Sequence, residues 1–166
     1  MSLETERLAF RPPRLADAAA LFEFLGDDTA MQYTTVRESV RDCRRYIAAH
    51  ERQRRRIGCA PWVIIEKQAG RTIGVGGVYE DPFDAGWGVE IGYFFAPAAW
   101  GQGFATELAL FCVAWAKQEA RWPALCAFAH PDNMASQRVL QKSGFRQQRY
   151  VPEMNRILYR RTLRDA

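Results

Sequence analysis

The stretch PAAWGQGFATEL, residues 97–108, decides how the rest of the chain is read. Its two glycines, Gly101 and Gly103, stand between a strand-like run at 89–95 and a helix-like run at 103–119. Two readings fit this local pattern. In one, the glycines let the backbone turn tightly against a phosphate. The free N–H groups of the first helical turn and the helix dipole then hold the anion. In the other, the glycines only soften the start of an ordinary helix. A nucleoside-triphosphate loop is excluded, because no GxxxxGK[ST] occurs. A dinucleotide loop fits poorly. Gly101-Gln102-Gly103 supplies GxG, but Thr106 occupies the third glycine position, and residues 96–100 intervene before the first glycine.

The glycines at Gly74, Gly76 and Gly77 lie inside a strand pattern with no helix behind them. A close backbone approach or a bulge explains them better than a ligand. The chain has 166 residues, 48% of them hydrophobic, enough to bury a core as one domain spanning 1–166. A net charge of +4 suits an anionic cofactor or an acidic surface, and equally an ordinary soluble enzyme. Cys43, Cys59, Cys112 and Cys126 form no CxxC pair, and His50 and His130 do not stand at ligand spacing, so no metal is expected. The first residues lack a signal-like apolar core, and no apolar run approaches the ~20 residues of a membrane span. The expectation is a reduced, cytoplasmic, soluble protein with no membrane partner.

Outward from the loop, hydrophobic periodicity predicts strands at 8–11, 62–66, 72–79, 89–95, 125–129, 145–150 and 157–162, and helices at 17–25, 38–56, 103–119 and 133–142. Asp17 is the expected cap of the first helix. Leu108, Phe111, Cys112 and Trp115 form the buried stripe of the third. The order β-α-α-β-β-β-α-β-α-β-β gives an α/β fold of the mixed α+β kind, a sheet with helices on its faces.

With these elements in place, Trp100-Gly101-Gln102-Gly103-Phe104-Ala105 resembles the [QR]-x-x-G-x-[GA] acetyl-coenzyme A loop of the GNAT N-acetyltransferases. Trp at the first position is similar to the branch of the ribosomal-protein-alanine N-acetyltransferases. VEIGYFFAP (89–97), HPDNMASQRVLQKSGF (130–145) and the N-terminal RLAFRPPRLADAAALFEFL resemble other segments of the same fold. The resemblance covers nearly the whole chain. It implies a mostly antiparallel sheet, about four flanking helices, and one parallel strand pair that splays apart around the pantetheine arm. The backbone of Phe94 and Phe95 would contact that arm. The amides of Gly101, Gln102, Gly103, Phe104, Ala105 and Thr106 would hold the pyrophosphate, with Trp100 leading the motif. Asn133 would reach the pantetheine, and it also suits a helix N-cap.

The resemblance further implies that Glu90 takes the amine proton and that Ser136 supplies a proton to the coenzyme's sulfur. The residue-level alternatives are a Glu at the sheet rim and a first-turn polar side chain. Many GNAT enzymes use a tyrosine seven residues after the Asn; that position here is Leu140, which donates no proton. Buried thiols are usually inert, and Cys112 and Cys126 are both expected inside, so direct attack in a ternary complex is preferred to a covalent intermediate.

The acceptor is an amine. The branch points to a protein N-terminus, a ribosomal protein among the candidates. Small amines (polyamines, amino acids, antibiotics) and a non-catalytic acyl-CoA-binding module are the alternatives. Tyr33, Trp62, Tyr79 and Trp87 are candidate pocket walls, though such aromatics are more often core. The run RDCRRYIAAHERQRRR (41–56) reads as a solvated amphipathic face, with an acidic partner or nucleic acid as the lesser reading. A monomer and a homodimer are both compatible with the sequence.

Overall fold

The computed structural model describes residues 1–164, so the last two positions of the expected domain lie outside the described residues. The strands are β1 (Leu8–Arg11), β2 (Trp62–Glu66), β3 (Arg71–Tyr79), β4 (Glu90–Phe95), β5 (Ala124–Ala129), β6 (Arg146–Val151) and β7 (Arg156–Thr162). The helices are α1 (Ala18–Leu25), α2 (Val40–Ile57), α3 (Phe104–Glu119) and α4 (Met134–Lys142). The element order is the one that periodicity predicts.

Local chemistry sets the ends. Ser39 caps α2 by accepting the Asp42 N–H at 3.2 Å, and Gly58 closes it at φ 84°, where a side chain is strained. Asp17 departs from its expected role. Its carboxylate takes the Arg11 guanidinium at 2.7 and 2.8 Å and the Arg14 N–H at 2.6 Å, so it caps the short turn before α1 rather than α1 itself.

The strands form one sheet in the order β1-β2-β3-β4-β5-β7-β6. Every neighbouring pair is antiparallel except β4–β5, which is parallel. Side chains alternate between faces. One face carries Ile64, Val78, Ile91, Phe95 and Leu125 under α3 and Leu140 of α4. The other carries Val75 and Phe94 under α1 and α2. The strand glycines permit close approach, as expected: a Cβ at Gly76 would sit 2.7 Å from the Tyr93 Cα, and one at Gly74 would sit 2.9 Å from the Phe95 ring. Cys43, Cys59 and Cys112 are buried and free. Cys126, expected inside, is only half-buried, because it lies where β4 and β5 part.

The parallel pair is joined only at Glu90 and Cys126. The Cys126 N–H donates to the Val89 C=O at 3.0 Å. Beyond that point the strands diverge, and a wedge opens in the middle of the sheet.

Candidate active site

The loop at the end of β4 is built to present N–H groups. Gly101 (φ 72°) and Gly103 (φ 81°) occupy the left-handed region, where only glycine sits without strain. The first intrahelical bond of α3 runs from the Glu107 N–H to the Gly103 C=O at 3.0 Å. The N–H groups of Phe104, Ala105 and Thr106 therefore have no helical partner, and Gly103 has no side chain to cap them. That is the donor set a pyrophosphate requires.

Three side chains fix the loop. The Trp100 indole donates to the Phe95 C=O at 3.1 Å, tying the loop to β4. The Gln102 amide donates to the Ala98 C=O at 3.0 Å. Arg7 donates to the Gln102 C=O at 2.7 Å, pairs with Glu107 at 2.6 Å, and lies over the Phe104 ring. Arg7 is far away in sequence, and periodicity gave it no role.

The phase of the β3–β4 ladder determines which backbone groups face the wedge. The Ala96 N–H donates to the Ile73 C=O at 2.8 Å. Bonded and non-bonded pairs alternate along an antiparallel ladder. Phe94, opposite Val75, therefore spends its backbone groups on β3, whereas Tyr93 and Phe95 turn theirs toward the wedge. Of the two residues expected to offer backbone to a pantetheine, Phe95 is the one so directed. The Phe94 side chain instead lines a cavity on the other face.

Across the wedge, Asn133 caps α4, its side-chain oxygen accepting the Ser136 N–H at 3.1 Å. The Ser136 hydroxyl lies 3.3 Å from the Tyr93 hydroxyl. Burial pushes the Tyr93 phenol up to about 12, and its hydrogen bond to Ser136 opposes the rise. Leu140 is 1% exposed and packs in the core, so that position holds no proton donor. The hydroxyls near the wedge come from Tyr93 on β4 and Ser136 on α4.

Glu90 opens β4, and its side chain is 7% exposed. Burial, then the charges of Asp81 and Asp84, raise its carboxyl to about 8; a hydrogen bond from the Tyr79 phenol opposes them. Tyr79 is its cross-strand neighbour. Tyr79 and Phe94 also line a cavity of about 280 Å³ with Met31, Thr34, Thr35, Arg37, Tyr46, His50, Asp81 and Phe83. It lies between α2, the segment after α1, and the β3–β4 loop.

Sequence and fold comparisons identify the domain. Residues 7–146 match the Acetyltransferase (GNAT) domain. The chain belongs to the GNAT acetyltransferase family. Acetyl-CoA is accordingly its acyl donor. YkkB of Bacillus subtilis (strain 168), itself uncharacterised, is 29% identical over 155 residues, which are 93% of this chain and 90% of that protein. The ribosomal-protein-S5-alanine acetyltransferase from Vibrio fischeri superposes with a TM-score of 0.78 at 16% identity, covering 99% of this chain and 98% of that one. The aminoglycoside acetyltransferase AAC(6')-Ib, in complex with coenzyme A, gives 0.76 at 19% identity, covering 93% and 94%.

Within this GNAT domain the candidate aromatic walls separate. Tyr79 lines the cavity. Trp62 is 2% exposed and stacks with Phe10, Phe111 and Trp115 in the core. Trp87 packs on Phe128, and Tyr33 on His130. The arginine run forms the outer face of α2, with Arg45 paired to Asp42, Arg54 to Glu51 and Arg56 to Glu80. His50, inside that run, faces inward and was not singled out by charge patterning. Among the described residues no cluster could hold a metal ion, and no helix is long and apolar enough to cross a membrane.

Proposed function

We propose that the protein moves the acetyl group of acetyl-CoA to the α-amine of a protein or peptide by direct attack in a ternary complex. The observation that carries this reading is Glu90, a buried carboxyl that burial raises to about 8, at the mouth of the wedge and next to Tyr79, which lines a separate cavity. A general base works best with a pKa near the operating pH. A protein α-amine, at about 7.7–8, is close to it, whereas a lysine amine near 10.4 is almost wholly protonated.

In this reading the Phe104, Ala105 and Thr106 amides bind the pyrophosphate, and Tyr93 and Phe95 pair with the pantetheine arm. The Tyr93 N–H, also aimed into the wedge and nearer Glu90 along β4, suits the carbonyl oxygen as it gains charge; such a donor is worth about 10²–10³ in rate. The amine nitrogen bonds to the acetyl carbon as the carbon–sulfur bond breaks. Glu90 accepts the proton that leaves the amine. Ser136, hydrogen-bonded to Tyr93, protonates the departing thiolate. Four unpaired cysteines suit a cytoplasmic setting.

A cavity of about 280 Å³ also suits a small amine, which is the second reading. The purified protein, given acetyl-CoA and a peptide with a free N-terminus, is expected to release thiol and to acetylate the α-amine, identified by fragment mass spectrometry. The N-terminally blocked peptide is expected to stay unmodified. Turnover of polyamines alone would replace this reading with the second. Absence of thiol release with every amine would reject catalysis.

A further inference from the structure

Two buried polar side-chain atoms lack a partner among the described residues, Arg37 Nε and His50 Nδ1, and both side chains line the same cavity. Buried polar groups are nearly always paired, so each of these needs a partner from outside the chain, a water or a ligand. Both lie in one cavity that Tyr79, the cross-strand neighbour of Glu90, also lines, which makes an acceptor the natural occupant.

The cavity lining carries both signs of charge, Arg37 and Asp81. Arg37 lies 5.0 Å from the Tyr46 ring centre and 5.9 Å from that of Phe83, and no carboxylate among the described residues forms an ion pair with it. A guanidinium donates and never accepts, so its missing partner is an acceptor, best an anion. Asp81 also lines the cavity, and its charge, with that of Asp84, acts on Glu90, the cross-strand neighbour of the lining residue Tyr79. Asp81 is tied to its own loop by the Phe83 N–H at 2.8 Å.

Tyr46, His50 and Tyr79 wall the space between, with ring centres 4.5 and 5.2 Å apart in succession. Burial, then the charges of Arg37 and Arg54, hold His50 down at about 3, so it stays neutral. Arg37 acts on His50 and Tyr46 but is not among the charges acting on Glu90. Outside, Glu38 and Asp42 line the adjoining cavity, but Asp42 is taken by Arg45 at 3.3 Å.

We propose that the acceptor carries a carboxylate several bonds from its amine, with Arg37 holding the carboxylate while the amine lies at Glu90. The inference rests on the acetyltransferase reading and narrows its substrate class. An acidic residue at a peptide N-terminus and a free acidic amino acid both have this chemistry. A polyamine would place a second cation against Arg37 and is disfavoured.

The test compares matched acceptors differing only in charge: a short peptide beginning with Glu against one beginning with Gln, and free glutamate against glutamine, with spermidine alongside. Thiol release with acetyl-CoA gives kcat/KM, and calorimetry on the coenzyme A-loaded protein gives affinity without turnover. A charge-assisted bond predicts a preference of about ten- to a hundredfold for the carboxylate member. Arg37→Met should collapse the ratio toward one, and Arg37→Lys should keep part of it. Peptide and free amino acid rates then separate the two sources. Equal kcat/KM and affinity across the pairs, or an unchanged preference in Arg37→Met, would overturn the inference. Amines acetylated without charge preference would leave the acetyltransferase reading standing. No turnover with preserved Glu-over-Gln binding would do the reverse.

Discussion

Replacing Glu90 with Gln should alter both the rate and the stability of the protein, in opposite senses. The carboxyl is held at about 8, chiefly by burial. At pH 7 only about one tenth of the molecules then carry the ionised base, and acceptor α-amines near 7.7–8 are similarly short of their neutral form. The kcat/KM of the wild type should therefore climb with a slope approaching two below pH 7 and level off above about 8.5. In Glu90→Gln one of the two ionisations is gone, so the slope should fall toward one, with the plateau about 10²–10⁴ lower.

The same carboxyl affects folding. Its folded pKa lies above the ordinary 4.5, so the folded state binds the proton more tightly than the unfolded one. That advantage is complete below pH 4.5 and is lost as pH rises through about 8. The full effect is about 5 kcal/mol, and roughly 3 kcal/mol of it disappears between pH 6 and 9. Glu90→Gln has no charge to bury, so its stability relative to the wild type should improve by about that much over the window. Urea unfolding at pH 6 and pH 9 measures the difference. A stability gap between the two proteins that does not change with pH, together with parallel pH–rate curves, would refute the assignment of Glu90 as a buried base.

Two further outcomes test the wedge. Ser136→Ala should lower kcat by about tenfold or more, and Tyr93→Phe by less; as the hydroxyls lie 3.3 Å apart, the double variant should cost less than the two losses combined. Additive losses in stopped-flow rates would separate the two residues. Gly103→Ala puts a side chain at φ 81° and strains the loop by about 1–2 kcal/mol, so affinity for coenzyme A, read by calorimetry, should fall about five- to thirtyfold while urea stability changes by no more than that strain.

Much of the architecture could be read in the sequence, because hydrophobic period and turn residues fix elements locally. The glycine loop, Glu90, Asn133 and Ser136 sit in short motifs with a fixed order. What escaped depends on phase and on distant contacts. Whether Phe94 or Phe95 faces the wedge turns on one ladder bond, from Ala96 to Ile73, which no local pattern encodes. Tyr93 looks like one more strand aromatic until Ser136, 43 positions later, meets it. Arg37 falls in a turn-rich segment and His50 in an arginine run, and neither residue type in isolation signals a cavity. Trp62 carried the same aromatic signal as Tyr79, but its face of the sheet sends it into the core.

The alternation along β4 also bears on how such a protein changes its target. Tyr93 and Phe95 turn backbone toward the wedge, while Glu90 and Phe94 point side chains to the face that carries α1 and α2. On the proposed function one strand thus acts as a partition between two rooms, and Glu90 stands at the doorway. The walls of the proposed acceptor room, Arg37, Tyr46, His50 and Phe83, come from the segment after α1, from α2 and from the β3–β4 loop. If the proposed function holds, substitutions there retune acceptor choice while the glycine loop assigned to the coenzyme keeps its sequence. A library confined to those walls is the economical route to a new acceptor.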